Sequence, residues 1–275
     1  MFSGKMETEP IPERVFSLYK TVEAKYNTAE NKKQGISRSD LKDILEPRNK
    51  STGATSYFSK ILNTAMELKI VNEKDNMIVP AITDGSLKTM DGLRVLTIKK
   101  LDDYSENEFY RTTGAIIEMN DEIYKYFISD PKFISILNST NGMSVDENSM
   151  RGWRFWAQFL GFGTYSNTRA NMMFYPNSGI FIETVMKMLS LENGQYYQMT
   201  EFINNFNRYG KILQLDRHLE DRKLNMSYSN GLRMLNDAGV IELVSRNDEP
   251  INWHLYTSTD EFNEPVTGIY YRGNR

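Results

Sequence analysis

The chain of 275 residues contains no cysteine. That absence excludes disulfides, thiolate metal sites and cysteine nucleophiles together. Histidine is nearly as scarce, with only His218 and His254, so a histidine-based metal centre would need carboxylates to complete it. We expect neither metal nor cofactor. No apolar run approaches the roughly 20 residues that a membrane-crossing helix requires, so the expectation is a cytoplasmic protein with no membrane contact. A strong positive balance is missing too: the net charge is −3 and the pI about 5.6, whereas domains that coat nucleic acid usually exceed a pI of about 9. Contact with DNA would have to use a local patch.

Catalytic signatures are equally scarce. There is no G-x-S-x-G elbow and no phosphate-cradling G-x-x-x-x-G-K-[ST]. The GFG run at Gly161 to Gly163 follows an expected helix rather than a strand, so it reads as a helix stop. Asp102 and Asp103, Asp121 and Glu122, and Glu220 and Asp221 are sequence neighbours, which on a helix point apart. His218 reads as an ordinary exposed residue and His254 as one face of a ribbon strand. These features predict a protein that binds rather than catalyses.

What is present is a pattern of helices and small ribbons. In Asn225 to Tyr256 the apolar residues Tyr228, Leu232, Leu235 and Ala238 share one helical face. Ser227 is placed as the cap and Gly239 as the stop. Val240 to Val244 then suits a strand, Ser245 to Pro250 a loop, and Trp253, Leu255 and Tyr256 a returning strand. This is the second half of a winged helix. Thr200 opens a preceding helix carrying Phe202, Ile203 and Phe206, and a charged helix is expected from Asp216 to Leu224.

The beginning of the chain follows the same plan. Met1 to Pro10 is polar and expected to be loose, and Pro12 suits the first turn of a helix ending near Tyr26. Ser37 with Asp40 resembles a capping box for a short helix closed by Pro47. Arg48 to Gly53 makes a turn, a third helix runs from about Thr55 to Leu68, and Ile70–Val71 and Met77 to Val79 form a strand pair around Glu73 to Asn76. Setting Tyr57 against Tyr228 also aligns Ile61 with Leu232 and Ile70 with Ile241, a repeat of architecture. The region between reads as helical throughout, with Trp153, Phe155, Trp156, Phe159 and Leu160 as its aromatic core and Pro176 initiating a last helix through Ile180. The expected fold is mainly α with small β ribbons: winged-helix domains at residues 1–84 and 193–275 flanking a helical middle domain, 85–192.

Two kinds of partner fit this plan. With apolar faces turned inward, the first recognition helix would expose Ser56, Ser59, Lys60 and Asn63. The second would expose Ser229, Asn230, Arg233 and Asn236, with Arg222 and Lys223 nearby and Arg246 at the wing tip. Such side chains can donate to phosphate, and Arg and Asn can read base edges. Six basic residues face three acidic ones in Asn205 to Arg233, and nine face six in Glu13 to Lys50, so duplex DNA bound at one or both ends is one expectation. The other is a protein adaptor without DNA contact. It would use aromatic and Met residues near Gln195 to Met199, or the tail from Gly268 to Arg275, which could equally close the second winged helix with a strand.

The runs IPERVFSLYKTV, ISRSDLKDILEP, FSKILNTAMELKIV, WRFWAQFLGFG, YPNSGIFIETV and YSNGLRMLNDAGVIEL, in this order, resemble the DpdG-type proteins of bacterial phage-defence and DNA-modification islands. The similarity spans most of the chain through apolar and turn positions. It implies an accessory subunit without an active site, working beside ATPase, helicase or nuclease partners. A lesser similarity, to two-winged-helix plasmid initiators, implies replication or transcriptional control. Neither resemblance carries a catalytic residue onto this sequence.

Overall fold

Pro12 opens α1 (Pro12–Tyr26), where its missing N–H is no loss because first-turn donors have no helical partner. The helix buries Val15, Leu18, Tyr19 and Val22. These statements, and those below, concern a computed structural model that describes residues 1–28, 33–47, 56–166, 172–214, 221–249, 252–258 and 264–273. After β1 (Ile36–Ser37) comes α2 (Arg38–Leu45), capped as expected: Ser37 Oγ accepts from the Asp40 N–H at 3.1 Å and donates to the Asp40 carboxylate at 2.7 Å. Helix α3 (Phe58–Glu67) turns Phe58, Ile61, Leu62 and Ala65 inward. Strands β2 (Val71–Lys74) and β3 (Met77–Pro80) close tightly through Asp75 and Asn76, both at positive φ. The sheet order is β1-β3-β2, all antiparallel. Strand β1 was not foreseen, since two residues show no alternation. The expected turn at 48–53 and the start of α3 at Thr55 lie outside the described residues.

The first ten residues are not loose. Phe2 is fully buried, edge-on to Trp156 and Phe109 at 4.8 and 5.1 Å between centroids, and Met6 is buried as well. The Trp156 indole N–H donates to the Pro10 carbonyl at 2.7 Å. Two apolar anchors and an aromatic slot outweigh a polar composition, because the anchors bury area that solvated neighbours do not cost.

The middle of the chain holds α4 (Met90–Ile98), α5 (Glu108–Glu118), 3₁₀ turns at Leu101–Tyr104 and Asn120–Lys125, α6 (Pro131–Asn141) and α7 (Glu147–Leu160). Trp153, Trp156 and Leu160 are fully buried, while Phe155 and Phe159 are only partly so. Gly161, at φ +86°, stops α7 as expected. The region is nevertheless not helical throughout. Strands β4 (Gly163–Tyr165) and β5 (Phe174–Pro176) pair antiparallel, and Pro176 ends a strand instead of starting a helix. Helix α8 (Gly179–Met188) begins three residues later.

In the last part, β6 (Tyr196–Gln198) leads into α9 (Met199–Gly210) and a 3₁₀ turn at Lys211–Leu213. Then follow α10 (Met226–Asp237), β7 (Ile241–Val244), β8 (Trp253–Leu255), β9 (Glu264–Val266) and β10 (Gly268–Tyr271). The partner of β7 is β10, with Gly268 opposite Val244 and Tyr271 opposite Ile241, and β6 lies on the other side of β10. The returning strand expected at Trp253 to Tyr256 pairs with β9 instead, as a separate ribbon. The cap of α10 is Asn225, whose side chain accepts from the Tyr228 N–H at 2.9 Å. Of the expected charged helix, residues 216–220, including His218, lie outside the described residues, while 221–223 form a turn and a bridge to His254. The molecule is mainly α with small antiparallel sheets, and one apolar cluster runs through all of its parts. Among the described residues, no helix is long and apolar enough to cross a membrane.

Candidate binding faces

Helix α10 does not present the face expected of it. Ser227 and Ser229 are fully buried. The Ser227 hydroxyl shares a 2.7 Å hydrogen bond with Ser178, its carbonyl accepts from the Ser178 N–H, and the Met226 N–H donates to Asn120 Oδ1 at 2.7 Å. Ser229 Oγ accepts from the Tyr256 N–H at 2.8 Å. The N-terminal half of α10 is thus stitched to α8 and to the 3₁₀ turn at Asn120–Lys125. Gly231 makes that approach possible, since a Cβ there would stand 2.7 Å from the Gly179 backbone nitrogen. Close helix packing excludes the half of the helix that a DNA groove would receive.

The remaining expected contacts on this part are mostly engaged inside the chain. Asn230 is half-buried and donates to the Pro176 carbonyl at 3.2 Å. The Arg233 guanidinium grips Glu264 at 2.6 Å and the Tyr256 carbonyl at 2.9 Å. Asn236 Oδ1 accepts from the Leu243 N–H at 3.0 Å and so ties α10 to the middle of β7. Arg246 is not a free wing tip: it stacks 3.9 Å over the Tyr196 ring, donates to the Tyr270 hydroxyl at 2.7 Å and lies 3.5 Å from Glu249. Arg222 and Lys223 are exposed.

Helix α3, expected to be the first recognition helix, is also partly covered. The N-terminal segment crosses its outer side, with the Met1 amino group and the Phe2 N–H on Glu67 at 2.9 and 3.0 Å. Farther along, Glu7 and Glu9 reach Lys60 at 3.1 and 3.2 Å. Burial opposes the Lys60 charge, but the hydrogen bonds to these two acids hold its pKa above the usual value. Ser56 donates to Glu46 at 2.7 Å. Ser59 and Asn63 are exposed. Of the residues expected to touch DNA, four are exposed: Ser59, Asn63, Arg222 and Lys223.

A different face gathers exposed apolar side chains. Tyr124, Tyr175, Ile180 and Met234 are each exposed, Ile180 at 45%. The Tyr124 and Tyr175 rings lie 5.9 Å apart. Pro176, next to Tyr175, is tied to Asn230, one turn before Met234 on α10. The Met234 thioether lies across Gly179, where a Cβ would overlap it, and Ile180 follows on α8. The two pairs thus lie on elements joined to one another, Tyr124 and Tyr175 on the 3₁₀ turn and β5, Ile180 and Met234 on α8 and α10, with the Asn230–Pro176 hydrogen bond between them. The sequence pattern runs a helix through Ile180 without assigning it a face, and passes over Met234. The detectable signal was Met234 itself, an apolar residue off the face shared by Tyr228, Leu232 and Leu235. Of the adaptor surfaces foreseen earlier, Met199 is fully buried and Gly268 to Tyr271 is the central strand of its sheet, while Gln195 and Arg272 are exposed and Tyr196, Tyr197, Tyr270 and Tyr271 are half-buried.

Fold and faces define a mainly helical protein with a three-stranded sheet near each end and exposed apolar side chains between the middle and the last part. No known family model, curated protein or solved structure matches the chain.

Proposed function

We propose that this is a non-catalytic docking subunit with a winged-helix module at each end, its second recognition helix used for internal packing. The order helix, strand, two helices and hairpin with β3 central supports the first module. The β6-β10-β7 sheet beside α10 supports the second. One observation carries the choice of protein over DNA. The N-terminal half of α10 is buried against α8, while large apolar side chains are exposed together beside it. Contiguous exposed apolar surface marks interaction sites more often than idle surface. With the DpdG-type resemblance, the reading becomes an accessory subunit of a phage-defence system that docks an ATPase, helicase or nuclease.

The test places a photo-crosslinking amino acid at Tyr175 and, as a control, at the exposed Asn72 of β2. Crosslinking in the native cell to one defined protein from Tyr175 and not from Asn72 is the expected result. Duplex DNA remains a second reading because Arg222 and Lys223 are exposed at the entry to α10. Fluorescence anisotropy with a duplex of about 30 base pairs over a salt series addresses it, since each phosphate contact contributes about one unit of salt slope. Salt-dependent binding that is lost in Arg222→Glu/Lys223→Glu would overturn the protein-only reading.

A further inference from the structure

We infer that the face formed by Tyr124, Tyr175, Ile180 and Met234 receives a basic amphipathic helix of a partner protein. The inference rests on the docking reading above and adds the chemistry of the partner. Three of the four apolar residues have an acid three positions away on the same element: Asp121 before Tyr124, Glu183 after Ile180 and Asp237 after Met234. In a 3₁₀ turn residues three apart eclipse one another, and in an α-helix they share a face. Tyr124, Ile180 and Met234 are therefore each edged by a carboxylate, and Tyr175 is not.

Of those three acids only Glu183 is offset by a cation of this face, Lys187. Lys125 is paired with Glu122 at 2.5 Å, Lys187 with Glu183 at 2.7 Å, and Arg233 with Glu264 at 2.6 Å. Asp121 accepts a hydrogen bond from the Tyr256 hydroxyl. Asp121 and Asp237 have no cationic partner among the described residues. The surface is apolar at its centre and acidic at its edge. An amphipathic helix with Leu or Met on one side and Lys or Arg flanking it is the complement, burying its apolar stripe while its cations meet the edge. A second copy of this chain would bring the same acids together, and like charges in apposition oppose that.

Three labelled synthetic helices test this, each about 18 residues and hence about 27 Å long, with one leucine stripe and lysine, glutamine or glutamate on the polar side. Their binding to the full chain is followed by fluorescence anisotropy, and circular dichroism checks the fold of every variant. The Leu/Lys peptide is expected to bind saturably and at least about tenfold more tightly than the Leu/Gln peptide, with no binding of Leu/Glu. Ile180→Ser/Met234→Ser should weaken it about tenfold or more, and Asp237→Lys severalfold. Equal binding of the Leu/Gln or Leu/Glu peptide would overturn the basic partner while leaving a docking face in place. Binding of no peptide, or binding that Ile180→Ser/Met234→Ser leaves unchanged, would overturn both readings. Self-association by sedimentation that Ile180→Ser abolishes would assign the face to a second copy and overturn the inference.

Discussion

Asp146 shows how much one side chain can carry at a helix start. It accepts from the Ser149 N–H at 2.8 Å, capping α7, and pairs with Lys5 across the N-terminal segment. The hydrogen bond to Lys5, then that from the Ser149 backbone, lower its pKa from 3.8 to about 2. A carboxylate depressed in the folded state stabilises above its unfolded pKa and loses that effect as pH falls through the folded value. Asp146→Ala should therefore cost about 1 kcal/mol near neutrality, with the gap to the wild type closing between about pH 4 and pH 2. Urea titrations across that range measure it, and a gap independent of pH would show that the charge is irrelevant. At this scale the sequence was a good guide: Ser37 and Gly161 sit where local geometry calls for them. It misjudged Ser227, because the choice between Asn225 and Ser227 as cap depended on Ser178, a residue 49 positions away that takes the Ser227 hydroxyl.

Whole elements depend on close approaches that a pattern of apolar residues does not reveal. Gly152 lies within α7, where glycine costs up to about 1 kcal/mol relative to alanine. Its compensation is spatial: a Cβ there would stand 2.5 Å from the Glu7 carbonyl oxygen, so the N-terminal segment can lie directly on the helix. Gly152→Ala should leave the helical signal intact while driving residues 1–11 off, seen as faster limited proteolysis in that segment. Unchanged proteolysis would mean that the segment is held by Phe2 and Trp156 alone. The β4–β5 ribbon escaped notice for a related reason. Three-residue strands show too little alternation to outweigh helical flanks, and what makes them strands is their mutual pairing.

The molecule as a whole is tied together by bonds between distant parts. Trp156 to Pro10 links the start to the middle, and Met226 to Asn120 links the end to the middle. The tryptophans at 153, 156 and 253 are buried in two of these parts. Urea unfolding followed by tryptophan fluorescence and by far-ultraviolet circular dichroism should therefore give coincident transitions, as expected when one core unfolds cooperatively. Separated midpoints would show that the ends unfold on their own. The sequence by itself determined most helix positions, several of their caps and stops, and the burial of Trp153 and Trp156, because periodicity and capping act over a few residues. Tertiary structure alone decided the partner of β7, the burial of Ser229 and the exposure of Ile180 and Met234. A helix pattern says which residues share a face, but only packing decides which face meets protein and which meets solvent.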